Sequence, residues 1–425
     1  MERTATSRMN SETGTILRHV GSDLQIPAAT KRPYASSRVA SIDSARGAAM
    51  LFVCLAHFTN AYFFLNGRGD IGIDLVLIGM LASPTFVTVS GLVAGFLAIT
   101  RPTSFGRLRR KLIDRGLFLL LVGHFVLALS GLATGAGFLH AYRVDYITDA
   151  IGFAILFGPW LLATLPWRSR LLLATAMFTL DWCVVLFWMP GEGVAMLAKR
   201  YLVGIVNPGQ WGSTAGGFAA IPWFAVYIVG TVIGERVAAY YEGKNQKAAH
   251  LLLAKIGIFG VGCTLGVKIG LVFLKRAVPL FAEFHPTLTH LLSFYQKFPP
   301  GPVYLCFFGG AGMLLVAGVL EAGRRGLQPF LLSQLRQIGL ASFFVYIVQF
   351  YVYVVVLRAL RLPYTPFWPL IFLFSIVLLA AVARVWNLRE GNRYLTVGID
   401  PLLDGIAGGS RRILKKPIGV ESPAA

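Results

Sequence analysis

Apolar runs long enough to cross a membrane recur along almost the whole chain, separated by short polar segments. They fall near residues 44–64, 75–99, 113–131, 146–165, 171–189, 218–235, 251–274, 302–320, 338–357 and 367–386. A hydrocarbon core of about 30 Å takes roughly 20 apolar residues in a helix rising ~1.5 Å per residue. The pattern predicts an all-α, polytopic integral membrane protein with about ten transmembrane helices.

Composition supports this reading. Of 425 residues, 56% are hydrophobic and only 14% charged, which is too little polar surface for a soluble protein of this length. The net charge of +20 would suggest nucleic acid in a soluble domain. Its distribution argues otherwise. With the N-terminus inside, the inner segments 1–43, 100–115, 166–170, 236–250, 321–337 and 387–425 carry 26 Lys and Arg, and the outer ones carry 9. That asymmetry follows the positive-inside rule, so both termini are expected on the cytoplasmic side, with anionic lipid as a partner of the basic face and no nucleic acid. Residues 1–37 are polar and read as a disordered cytoplasmic tail, 38–390 as the membrane domain and 391–425 as a basic cytoplasmic tail. Cys54, Cys183, Cys263 and Cys306 all lie in predicted spans, without the spacing of a metal site or disulfide framework, so no metal is expected. The longest outer segments, 190–217 and 275–300, are read as connectors or as a vestibule for a polar substrate.

Ionisable groups within spans are costly and usually face the bundle interior, which makes the few present here informative. Arg46 and His57 are eleven positions apart in the first span. Eleven residues make about three turns, so the two share one helix face, roughly 16 Å apart along the axis. Asp43 lies close to the same stripe and is placed to pair with Arg46. His124, Thr85 and Gln349 sit at similar depth in their own spans and form a candidate polar layer with His57. For His124 the plainer reading is a structural histidine bonded to a backbone carbonyl. Ser342 and Gln349 read as helix-packing groups, and Asp181 and Lys268 as an ion pair or as unrelated residues. Asp149, in "YITDAIG" near the expected outer face, reads as a helix cap.

The segment "RPTSFGRLRRKLIDRG", residues 101–116, is the second candidate. It serves topology in any case, and its arginines also suit phosphate recognition through charge-assisted hydrogen bonds. No Walker A or dinucleotide fingerprint occurs, which disfavours an ATP-driven pump.

The order of these motifs resembles the acyltransferase 3 family. "SIDSARGAAMLFVCLAHF" is similar to its first span, with the Arg-x10-His spacing carried by Arg46 and His57. "SPTFVTVSGLVAGF" resembles its second span, and Arg107 and Arg110, with Arg115 slightly beyond, resemble its basic Arg-x-x-Arg turn. "IPWFAVYIVGTVIGE" is similar to a span shared with the heparan-glucosaminide N-acetyltransferase group, and "IGLASFFVYIVQFYV" to a late family span. The resemblance covers roughly residues 38 to 390. This chain has Gln349 where the late span often has His, and His57 where the heparan branch carries Asn. No fused esterase-like domain is expected.

The resemblance implies a membrane O-acyltransferase. It would move an acetyl- or succinyl-type group from cytoplasmic acyl-CoA, a co-substrate rather than a bound cofactor, to a hydroxyl of a carbohydrate acceptor. His57 is then the catalytic residue, as general base or through an acyl-histidine. Arg46, Arg107, Arg110 and Arg115 would bind the acyl-CoA, with Asp43, Asp149 and His124 in support, Asp149 as a contact for acceptor hydroxyls if it is not only a helix cap. Family analogy implies a bacterial inner membrane. The competing class is a transporter or flippase for a glycan or small polar substrate, since buried His, Asp and Lys also serve proton-coupled carriers.

Overall fold

The computed structural model describes residues 39–188, 190, 193–206, 217–277 and 291–398. The tail at 1–37, the 399–425 part of the basic C-terminal tail, and residues 207–216 and 278–290 of the two longest outer segments lie outside these residues. Fifteen α-helices of five or more residues organise the described chain: α1 Ala40–Tyr62, α2 Gly69–Gly79, α3 Ala82–Thr100, α4 Phe105–Phe118, α5 His124–Ala133, α6 Phe138–Tyr142, α7 Ile147–Thr164 and α8 Trp167–Phe187, then α9 Val194–Leu202, α10 Ala220–Glu242, α11 Gln246–Ala277, α12 Gly310–Arg325, α13 Pro329–Leu340, α14 Ser342–Phe350 and α15 Trp368–Leu388. Among the described residues there is no strand beyond an isolated bridge between Lys297 and Pro300.

Nine helical stretches among these residues are long and apolar enough to cross a membrane. α1 is 23 residues long but is not one of them, because Asp43, Arg46 and His57 lower its hydropathy. The protein is thus an all-α, multi-pass membrane protein. Its interior and its lipid-facing rim are distinguished by what they bury. α1, α3 and α10 form the centre, where Ala49, Met50, Phe58, Val89, Leu92, Trp223 and Tyr227 are fully enclosed. α8, α11 and α15 lie at the periphery and turn apolar side chains outward; Phe187 is 81% exposed and Phe259 73%. In water such exposure would be costly, whereas hydrocarbon accepts it. Of the four free cysteines only Cys54 is buried.

Small residues set the central packing. Gly91 and Gly95 of α3 meet the backbone of Tyr227 and Thr231, while Gly230 and Gly234 of α10 meet Thr88 and Leu92. Added Cβ atoms there would lie 2.0–2.4 Å from carbonyl oxygens, so the two glycine pairs, each four residues apart, let the helices touch backbone to backbone. Where the second span was expected as one run, α2 and α3 are separated at Met80–Leu81. Pro84 has no N–H to give the Met80 carbonyl, and the Tyr304 hydroxyl takes that acceptor at 3.0 Å.

Three spans contain π-helical stretches, at Leu119–Gly123, Leu305–Gly309 and Tyr351–Leu357. The first ends against His124 and the last begins just after Gln349, so two members of the expected polar layer sit beside widened helix. Such π segments cluster at functional positions. Beyond α15, Gly391–Tyr394 form a short 3-10 turn, with Gly391 packed against the Trp386 ring, and Thr396 hydrogen-bonds Asp114.

Candidate active site

The site forms along the seam between α1 and the α13–α14 pair. α13 lies so close to α1 that a Cβ on Gly47 would meet the Leu335 carbonyl oxygen at 1.8 Å, and one on Gly339 would meet that of Asp43 at 1.8 Å. Ser44 also donates its hydroxyl to the Leu332 carbonyl at 2.9 Å. The chain bends at Ala341, and α14 continues along the rest of α1. Ser342 and Gln349, seven residues apart, fall on one helix face. Arg46 and His57 fall on one face of α1, and the two stripes meet.

At one end of the seam Arg46 donates from Nη2 to Ser342 Oγ at 2.5 Å. Its Nη1 lies 3.9 Å from Asp43 Oδ1, and the guanidinium stands over the Phe343 ring at 5.9 Å. Asp43 therefore does pair with Arg46, one turn before it on the same face. Both side chains are nearly enclosed, which a guanidinium tolerates only when hydrogen-bonded and paired.

At the other end His57 Nδ1 lies 3.0 Å from Gln349 Oε1. Gln349 is fully buried, and its Nε2 donates to the Tyr346 carbonyl at 3.0 Å. A carbonyl only accepts, so the amide nitrogen is committed there and Oε1 faces the imidazole. His57 Nδ1 consequently carries the proton. In the neutral ring Nε2 then keeps the lone pair, which is the arrangement a general base requires. Tyr346 and Phe350 stand edge-on to the ring, with centroids 6.1 and 5.4 Å away, and fix its orientation.

The second histidine is different. His124 Nε2 bonds the Tyr142 carbonyl and Nδ1 bonds Asp149 Oδ2, both at 2.9 Å. With both nitrogens engaged, His124 has no lone pair to offer a substrate. Asp149 also accepts the Tyr146 N–H at 2.8 Å, closing a capping box at the start of α7. Of the two readings offered for each residue, the geometry selects backbone anchoring for His124 and helix capping for Asp149. The rings of Phe350 and Tyr146 stand between His124 and His57. Thr85 bonds the Leu81 carbonyl within its own helix and does not join the site.

The basic segment lies elsewhere. Arg107 and Arg110 line an open cavity of about 510 Å³ with Thr103, Ser104, Gly106 and Arg109, and Arg46 is not among its walls. Arg109 stacks over Trp160 at 4.7 Å. Arg115 is partly buried further along α4. Among the described residues Asp181 is buried with no hydrogen-bond partner on either oxygen, and Lys268 stands over Phe294, so they do not pair with each other.

Lys297 was not singled out from the sequence. It belongs to the turn at 291–301, and its ammonium is close enough to act electrostatically on the His57 ring. The only signal was a basic residue in an aromatic, proline-rich stretch, "FYQKFPPG". Ser342 and Gln349 were visible as intramembrane polar residues, but not as partners of Arg46 and His57.

No curated protein matches the chain at a significant level. The family model of the acyltransferase 3 acyltransferase domain matches residues 39–386, a stretch that contains Arg46, His57, Ser342 and Gln349. This protein belongs to the acyltransferase 3 family and is a membrane acyltransferase.

Proposed function

We propose that the protein transfers an acetyl- or succinyl-type group from acyl-CoA to a hydroxyl of a cell-surface, periplasmic or lipid-linked glycan, with His57 Nε2 as general base. The observation that carries this is the hydrogen bond from His57 Nδ1 to a fully buried Gln349 whose own amide is fixed by Tyr346. It leaves Nε2 with its lone pair, held by neighbouring helices rather than by a mobile loop. In the reaction the acceptor oxygen forms the new C–O bond while its proton moves to Nε2. The thioester C–S bond breaks, and the CoA sulfur leaves with the proton that His57 returns.

The donor reading rests on charge. CoA is a polyanion, and the expected cytoplasmic segments hold most of the chain's arginines and lysines. Arg46 lies at that end of the seam, about three helical turns before His57, and Arg107, Arg110 and Arg115 supply further positive charge on α4. In this reading acyl-CoA enters from the cytoplasm and its thioester reaches His57 along α1. A bacterial inner membrane with both termini inside is the setting this implies.

The test is mass spectrometry of surface glycans from cells with the gene, without it, and with His57→Ala. An acyl substituent present only with the native gene supports the reading and identifies the group. Glycans acylated to a near-normal level in membrane-inserted His57→Ala would remove His57 from catalysis.

A further inference from the structure

The turn carrying Lys297 is firmly built. Buried Gln296 donates from Nε2 to the carbonyls of Phe298 and Pro299 at 2.8 and 3.1 Å, and accepts the Gly301 N–H on its backbone oxygen at 2.7 Å. Trp182 of α8 donates its indole N–H to the Pro300 carbonyl at 3.2 Å. Held this way, the half-buried Lys297 ammonium stands over the rings of Phe218 and Phe298, 5.3 and 5.2 Å from their centroids. The two rings meet edge-on at 4.9 Å and form one aromatic wall. Phe218 continues the wall to Trp223, in the protein centre.

A lysine this enclosed normally pairs with a carboxylate, because ring faces compensate only part of the lost hydration. Among the described residues none pairs with Lys297. Yet it lies within electrostatic reach of His57, which has no negative charge to offer. A rigid cation within electrostatic reach of His57, with no carboxylate paired to it among the described residues, is a site for an anion. Burial holds its pKa down to about 8, so it carries its charge at neutral pH.

We infer that Lys297 binds a carboxylate of the substrate beside His57 and so selects for an acidic reactant. This rests on the acyl-CoA reading above. The carboxylate has two possible sources that share this chemistry: the far end of a dicarboxylic acyl group such as succinyl, or an acidic sugar in the acceptor. The basic end of the molecule does not serve for either, since Arg46 lies about three turns away along α1.

The test uses the purified full-length protein with acetyl-CoA or succinyl-CoA as donor and glucose or glucuronate as acceptor, following release of the CoA thiol. Native protein is compared with Lys297→Met and Lys297→Arg. If the acyl group carries the carboxylate, native kcat/KM favours succinyl-CoA by about tenfold or more, as one charge-assisted hydrogen bond allows. Lys297→Met then loses that preference, read as the ratio of kcat/KM for succinyl-CoA over acetyl-CoA, and Lys297→Arg retains most of it. If the acceptor carries it, the same pattern appears for glucuronate over glucose with either donor. Preferences equal in native and Lys297→Met, or lost equally in Lys297→Arg and Lys297→Met, overturn the inference. Native protein that releases thiol from neither donor overturns the acyl-CoA reading and this inference with it. Native release with an unaltered Lys297→Met fails the lysine alone.

Discussion

Gln349 and His57, 292 positions apart in the chain, share a hydrogen bond of 3.0 Å that fixes which imidazole nitrogen can accept a proton. Removing the amide frees the ring to adopt the other tautomer. Gln349→Leu should lower kcat about 10- to 100-fold with little change in KM for acyl-CoA, since a tautomer defect acts on the proton transfer. Gln349→His, which keeps an acceptor at that position, should recover part of the rate. A Gln349→Leu protein with native kcat would show that His57 needs no partner.

Arg46 and the α4 arginines are separated in space, so their variants should separate as well. Arg46→Ala is expected to raise KM for acyl-CoA by about tenfold or more, the scale of one charge-assisted phosphate contact. Because Arg46 also bonds Ser342, the comparison includes Ser342→Ala, which removes that bond alone. If Ser342→Ala reproduces the Arg46→Ala defect, Arg46 serves the seam rather than the donor. Arg107→Ala and Arg110→Ala should each raise KM more modestly, and unchanged binding in both would free the α4 cavity from that role.

The close approach at Gly339 is what carries α14 to His57. A methyl group there would meet the Asp43 carbonyl oxygen, so α13 must move away from α1. Gly339→Ala should lower the thermal midpoint of the detergent-solubilised protein, by an amount matching about 1–3 kcal/mol of overpacking. It should also reduce activity per folded molecule, because Gln349 is displaced with the helix. A stable and fully active Gly339→Ala would mean that the seam tolerates separation.

His124 and Asp149 should respond as a structural pair. Asp149→Ala removes a helix cap and the partner of a half-buried imidazole together, at a cost of about 1–3 kcal/mol. Lower stability with unchanged kcat per folded molecule is expected. A selective loss of kcat would return this pair to the reaction.

Lys297 gives a prediction in pH. Its ammonium is charged below its pKa of about 8 and neutral above, with burial as the cause of the low value. The preference for an acidic donor or acceptor should therefore be full near pH 7 and fade as pH rises through 8 to 9. Lys297→Arg, whose guanidinium stays charged, should hold the preference across that range. Discrimination that persists unchanged in the native protein above pH 9 would point to a different cation.

Much of this was legible in the chain itself. Hydrophobic run length specified an all-α membrane protein, because in hydrocarbon a helix satisfies its own backbone. The eleven-residue spacing placed Arg46 and His57 on one face, and it did so correctly because that geometry is local to a single helix. The equally regular spacing of Ser342 and Gln349 was present too, but nothing in a sequence says which stripe on one helix meets which stripe on another. His124 shows the same limit from the other side. Its depth in the span matched that of His57, yet its neighbours commit both of its nitrogens. Sequence alone determined the membrane class and the one-helix Arg–His stripe, both consequences of short-range periodicity. Only tertiary packing, through glycine contacts between helices and a bend at Ala341, decided which histidine keeps a lone pair.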